Sequence, residues 1–270
     1  MSTNKLVAPG PFRAQHLPSK SEYELVNGHP VYCAPTGHAG AGTILDGGSV
    51  IRSDPKVKRA GVDPGFAPDD LNVRAPDIAI IPETGGPGWI PGVPPFAVEY
   101  AGVGQDEGKL QEKIGDFLAR GTRLIWVVRL VGPRRVEVYA PGAEVRLVVA
   151  GEVLEAPEFL EHAIPVEALW EPEAADRATL RNLLARFGYA SVDEIRQEGR
   201  QEGRQEGRQE GRQEGSVQAT RAALVTVLVS RGLALDAHWT AKIEQETSIT
   251  QLQGWLTKAV TATSMSELGQ

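Results

Sequence analysis

The sequence predicts an α/β core followed by a repeat segment and a small all-α tail, on three observations. Over the first 150 residues, short runs rich in valine, isoleucine and aromatic residues surround one clear amphipathic helix. A four-residue unit, RQEG, is then written five times from residue 196 to 215. Beyond it, apolar residues recur at helical spacing.

Taken in order, residues 1–19 are expected to form a flexible N-terminus, and "PVYCAP" reads as a short buried strand holding an inert Cys33. Residues 38–52 carry a helical pattern, against which stand the four glycines between 40 and 48. The segments "NVRAPDIAII" (72–81), "PFAVEYA" (95–101) and "RLIWVV" (123–128) read as strands, and "RRVEVYA" (134–140) with "AEVRLVV" (143–149) as a hairpin turned through Pro141–Gly142. Between them, "DEGKLQEKIGDFLARG" (106–121) places Leu110, Ile114, Phe117 and Leu118 on one face, with Gly121 as the stop. Trp126 is expected in the core. These elements define an α/β domain over residues 20–173, and 174–195 reads as a helical connection. Helices are expected over 216–232, 236–245 and 248–260 of the tail module, residues 216–270, with Trp239 and Trp255 packed between them.

Composition sets limits on partners. Residues 1–150 hold 16 Lys and Arg against 16 Asp and Glu, so the whole net charge of −7 resides in residues 151–270. A neutral front half with the local clusters Arg52, Lys56, Lys58, Arg59 and Arg134–Arg135 can still bind a polyanion. Cys33 is the single cysteine, which excludes an internal disulfide and a Cys-based zinc cluster. No stretch reaches the ~18 consecutive apolar residues of a membrane span, and the N-terminus has no signal-like apolar run, so a cytoplasmic protein without membrane association is expected.

The repeat, residues 196–215, has two open readings: a flexible hydrophilic linker, or a helical stalk that pairs with another chain as a coiled coil. In a helix, a period of four stacks arginine on arginine and glutamate on glutamate at i,i+4, each such pair costing ~0.2–0.5 kcal/mol. Five interior glycines add ~1 kcal/mol each. An isolated helix of this composition should not hold. A partner chain offset by two residues would set arginine against glutamate, which is why a homo-oligomer through the repeat and tail is expected.

The chemistry is expected upstream. Asp77 follows Pro76 inside one strand run and Glu99 sits inside the next, each flanked by strand hydrophobes. A carboxylate in such a setting is costly unless paired or metal-bound, and two on adjacent strands point to a divalent-cation site of the kind magnesium favours. A lysine two residues after the glutamate would complete a hydrolytic centre, yet that position is Ala101. Lys109 and Lys113 in the following helix are the candidates, and Lys113 borders the apolar stripe.

The segments "YELVNG" (23–28), "PTGH" (35–38), "RAPDIAIIPE" (74–83), "PFAVEYAG" (95–102), "EKIGDFLARG" (112–121) and "LIWVV" (124–128) together resemble the Uma-two family, a branch of the PD-(D/E)XK nuclease superfamily in which the lysine has moved into the helix. The resemblance covers about residues 20–172. It implies a nuclease-like mixed sheet with flanking helices and hydrolysis of DNA phosphodiesters with Mg2+, or Mn2+. It also implies a catalytic set of Asp77, Glu99 and Lys113, with Asp77, Glu99 and Glu24 as metal ligands. The chain departs from the family pattern at Gly102, Lys109 and Arg129, where serine, aspartate and aspartate are common. The tail from "VLVSRGLAL" onward is similar to the helical segment that follows the repeats in Rpn-family transposase-associated nucleases, a resemblance that implies association and no activity.

Plainer readings stand beside these. Glu99 can be the ion-pair partner of Arg74 or Lys113 without any metal, His38 a hydrogen-bonded loop residue, and "GHAGAG" (37–42) lacks the Gly-Lys-Ser/Thr ending of a phosphate loop. The alternative to an endonuclease is a catalytically retired, nuclease-like DNA-binding or oligomeric scaffold protein.

Overall fold

The computed structural model describes residues 10–18, 20–83 and 85–268, in two compact units, Met1–Ser191 and Val192–Gln270. The first unit carries β1 (Tyr23–Val26), β2 (His29–Tyr32), α1 (His38–Ser53), β3 (Ala60–Val62), β4 (Phe66–Asp69), β5 (Asn72–Arg74), β6 (Ile78–Ile80) and β7 (Ile90–Pro91). It continues with β8 (Phe96–Ala101), α2 (Glu107–Ala119), β9 (Leu124–Arg129), β10 (Arg135–Tyr139), β11 (Arg146–Val149), β12 (Val153–Leu154), β13 (Ile164–Pro165) and α3 (Pro172–Arg186). The second unit consists of α4 (Val192–Ser230), α5 (Ala237–Gln245), α6 (Ile249–Ala259) and a closing 3-10 turn. Among the described residues, no helix is long and apolar enough to cross a membrane.

The first unit is a mixed α/β fold. Its main sheet has the order β11-β10-β9-β8-β6-β3, with β8 and β9 parallel and the other pairs antiparallel. A second sheet has the order β2-β1-β5-β4-β7. Strand alternation gives the main sheet two apolar faces. Phe96, Val98, Tyr100, Trp126 and Val128 pack with Ile44, Val50 and Ile51 of α1 and the alanines 174, 175 and 178 of α3. Ala97, Ala101, Ile125 and Val127 look the other way, onto Leu110, Ile114 and Phe117 of α2. Trp126 is fully buried with its ring edge-on to Phe96 at 4.8 Å.

Four expectations change. The run 72–81 is two strands in two sheets, because Pro76 cannot continue the ladder and the chain crosses from β5 to β6 there. Cys33 lies past β2 and is exposed. The stretch 174–195 is more than a connection: α3 packs into the main core, and its buried Asn182 donates to the Val50 carbonyl at 3.1 Å. Residues 10–18 of the expected flexible N-terminus are packed, with Leu17 buried beside Leu25 and Val73, whereas residues 1–9 and 19 lie outside the described residues.

Gly47 of α1 has a reason in packing. A Cβ on Gly47 would lie 2.0 Å from the Tyr100 hydroxyl, so the helix reaches the sheet only because that side chain is absent.

The repeat lies wholly within α4. Packing at its far end anchors the helix and offsets part of its glycine cost and like-charge stacking. Leu224 and Leu228 bury against Trp239, Ile243, Leu252 and Trp255. The two tryptophan rings meet edge-on at 5.6 Å, with Lys242 Nζ 4.5 Å and 5.1 Å from their centres. Asp236 and Ser248 cap α5 and α6 by accepting from the Trp239 and Gln251 amides.

Gly47→Ala is expected to destabilise the protein by about 1–3 kcal/mol through overpacking, and Tyr100→Phe in the same chain to recover part of that loss. Urea unfolding of the two single variants and the double variant checks this. Additive effects would contradict the contact.

Candidate active site

The centre forms where the alternation of β8 is interrupted by one acid. Ala97, Glu99 and Ala101 share a face, and the alanines on either side leave room beneath α2 for a long side chain. Lys113 fills it. Leu110, Ile114 and Phe117 hold α2 on the sheet, so Lys113, one position before Ile114, is turned inward at the stripe's border. Its Nζ lies 2.9 Å from Glu99 Oε1, donates to Glu99 Oε2 at 3.2 Å and to the Ala75 carbonyl at 2.7 Å, and approaches Glu24 Oε1 at 3.4 Å. Lys109 points outward, 67% exposed, with Asp106 at 3.8 Å.

Asp77 stands one residue before Ile78, whose partner across the ladder is Val98, so it reaches the same end of the site as Glu99. Its Oδ2 accepts from the Tyr100 amide at 2.6 Å. Glu24, on β1, accepts from the Ala75 amide at 3.0 Å and from Arg74 at 3.3 Å. Buried Arg74 also faces Glu112 and Asp116 of α2 at 3.6 and 3.8 Å. Of the two expected cation partners for Glu99, the structure supplies Lys113 and gives Arg74 to Glu24.

Burial dominates the electrostatics. It pushes the Glu99 carboxyl up to about 8, with Lys113 pulling it back and Asp77 adding to the rise. Asp77 is raised for the same first reason, partly offset by Lys113 and the Tyr100 amide. For Lys113 burial acts to lower the pKa, but Glu99, Glu24 and Asp77 outweigh it and hold the ammonium charged.

The residues present accommodate a divalent cation in a limited way. Glu99 Oε1 is buried and makes no hydrogen bond, since the nearby Lys113 Nζ approaches it outside hydrogen-bond geometry. That oxygen and the Asp77 carboxyl are hard oxygen donors that, once deprotonated, are of the kind Mg2+ takes when it keeps several waters. Among the described residues, no group of three or more His, Cys, Asp or Glu side chains is arranged to hold a metal ion. Glu24 is near, but both of its oxygens are already engaged by Arg74, Ala75 and Lys113.

His38 opens α1 in an exposed position and is not joined to the cluster by the described contacts. Arg129 is clamped by Glu107 at 2.6 and 2.9 Å and by Glu137 at 2.8 Å, which neutralises its charge. Gly102 follows directly on β8. One residue escaped the sequence reading. Asp63, at φ 48°, donates its backbone N–H to the Asp77 carbonyl at 3.1 Å, and its carboxyl is raised by desolvation, with Lys113 opposing and Glu24 adding. It sits in a "VDPG" turn just after β3, where turn chemistry alone accounts for an aspartate, so nothing in the sequence marks it as part of a site.

Lys113→Met takes the cation from buried Glu99 and is expected to cost about 3–5 kcal/mol at pH 8. The folded pKa of Glu99, about 8, exceeds its unfolded value, so the folded state holds the extra proton. Stability from this group therefore falls as pH rises from about 4.3 towards the folded value, and the cost of losing Lys113 should shrink at pH 5. Lys109→Met should stay within about 0.5 kcal/mol. Denaturant unfolding at both pH values checks this, and equal Lys113→Met costs at pH 5 and 8 would contradict it.

The family model described as "Uma2: Putative restriction endonuclease" matches residues 12–167, more than half of the chain. A comparison with curated proteins gave no match. Among solved structures, one described as "a putative nuclease belonging to DUF820 from Anabaena variabilis ATCC 29413" is similar at 21% identity and a TM-score of 0.49, over 60% of this chain and 96% of that one. The family match spans Glu24, Asp77, Glu99 and Lys113, and the chain belongs to the Uma2 family.

Proposed function

We propose that the chain is a Mg2+-dependent DNA endonuclease, with Asp77 and Glu99 as the metal-binding acids and Lys113 as the catalytic lysine. The observation that carries this reading is the convergence of Lys113 Nζ on Glu99 beside a buried Glu99 oxygen that makes no hydrogen bond. A bound divalent cation, Mg2+ or Mn2+, would supply Lewis acidity toward a phosphoryl oxygen. The chain's own residues supply position and charge. Tyr100 fixes Asp77 through its amide, and the Ala75 carbonyl fixes the Lys113 ammonium. A fixed ammonium in a poorly solvated setting is placed to orient a water and to stabilise charge developing on phosphate. Glu24 and Arg74 hold β1 to α2 around it. DNA as substrate follows the family description, and the expected cytoplasmic setting accords with it. Self-association through the repeat and tail helices is part of the same proposal.

A second reading is favoured by the ion pairs themselves. Glu99 and Glu24 are both matched by Lys113 and Arg74, so the cluster is also a closed structural network of the sort a retired site would keep.

Plasmid cleavage separates the two. With Mg2+ the wild type should cut, EDTA should stop it, and Asp77→Asn, Glu99→Gln and Lys113→Ala should each lose about a hundredfold or more. Lys109→Ala should retain most activity. Asparagine is the better replacement at 77 because its carbonyl can still accept from the Tyr100 amide, whereas alanine would leave that donor bare. No cleavage and no Mg2+-dependent rise in melting temperature for the wild type would leave the structural network as the account.

A further inference from the structure

We propose that one face of α4 is a parallel pairing surface for α4 of a second copy of this chain. The proposal rests on the reading that the chain self-associates, and adds the face and the orientation. Val225 and Val229 are 37% and 64% exposed, although Leu224 and Leu228 beside them are fully buried in the tail core. At ~100° per residue, these valines fall on one line with Ala222 and with the repeat glycines Gly215, Gly211 and Gly207. Gly207, Gln218 and Val229 stand eleven residues apart along that line. Such a period is close to the pitch of a straight helix, so the face stays opposed to a partner with only slight right-handed winding.

Charge chooses the occupant and its direction. Arg208 and Arg212 flank the glycine half of the face on one side, and Glu210 and Glu214 flank it on the other. In a parallel pair of identical helices, each flank meets the opposite flank of its partner, so both seams set arginine against glutamate. An antiparallel pair would bring like flanks together over the repeat, or leave both arginines against Ala219 and Thr226. Within one chain these groups have no such outlet, because the period of four puts unlike charges two residues apart and like charges on the same ridge. Among the described residues, the Arg and Glu side chains from 200 to 214 form no ion pair. The glycines let the two backbones approach where the arginines and glutamates reach across, and the valines close the far end of the interface.

Sedimentation of the full-length protein tests the proposal. The wild type should have twice the mass of one chain, and Val225→Glu with Val229→Glu should return it to one chain mass. Gln209→Ala, on the back of the helix, should change nothing. For orientation, Gly211→Cys in a Cys33→Ser background should oxidise to a cross-linked dimer, because a parallel pair brings the two positions level. An antiparallel pair centred on Gln218 would hold them about 21 Å apart along the axis. A monomeric wild type would sink self-association itself. A dimer that survives both glutamates would overturn the face, and a dimer in which position 211 fails to cross-link would overturn the parallel order. Circular dichroism showing equal helix content in all variants confirms that each loss belongs to the interface.

Discussion

A carboxylate buried inside a β-sheet has to be neutralised, and in this protein the cation that does so arrives from a helix. Glu99 is 7% exposed at its side chain and Lys113 14%, so the contact between them is shielded from water. Without the ammonium, Glu99 would have to hold its proton or carry a charge whose desolvation the core cannot offset. The placement of α2, the alanines that bracket Glu99 and the crossing of the chain at Pro76 all serve this one contact. The same contact bears on the proposed chemistry, because burial and Lys113 act in opposite directions on the proton of Glu99.

Around that pair the acids and bases are arranged in tiers. Arg74 and Glu24 tie the second sheet to α2, and Asp77 is fixed through a backbone donor of β8 itself. The opposite face of the main sheet carries no such charge and is packed by α1 and α3, with Gly47 permitting the close approach to Tyr100. One sheet thus has an apolar structural side and a side that carries charged groups, the Glu99–Lys113 cluster and the Arg129–Glu137 pair. Rigid packing on the first keeps the second in position.

Much of this was legible because strand and helix periods differ. The alternation in "FAVEYA" assigns Glu99 to the face opposite Phe96, Val98 and Tyr100, and the stripe Leu110, Ile114, Phe117 separates Lys113 from Lys109. What escaped was set by tertiary contact. Pro76 marks a break, but no local pattern says that the two strands flanking it belong to different sheets. Gly47 of α1 reads as a helix breaker because the Tyr100 hydroxyl it accommodates lies more than fifty residues away. Asp63 sits in a Pro-Gly turn that accounts for an aspartate by itself, and the alignment of the repeat glycines with Val225 and Val229 is visible only once α4 is one unbroken helix.

The central claim is that the buried pair of Glu99 and Asp77 is a cation site whose proton inventory depends on occupancy. Calorimetric titration of Mg2+ into the protein at pH 7, repeated in buffers of different ionisation enthalpy, measures that inventory directly, because a ligand that must be deprotonated releases its proton on binding. With the Glu99 carboxyl at about 8, binding should release close to one proton per chain, and Glu99→Gln should abolish the buffer dependence. Binding heats that are absent, or that do not change with the buffer, would contradict the account and leave Glu99 and Lys113 as a structural ion pair.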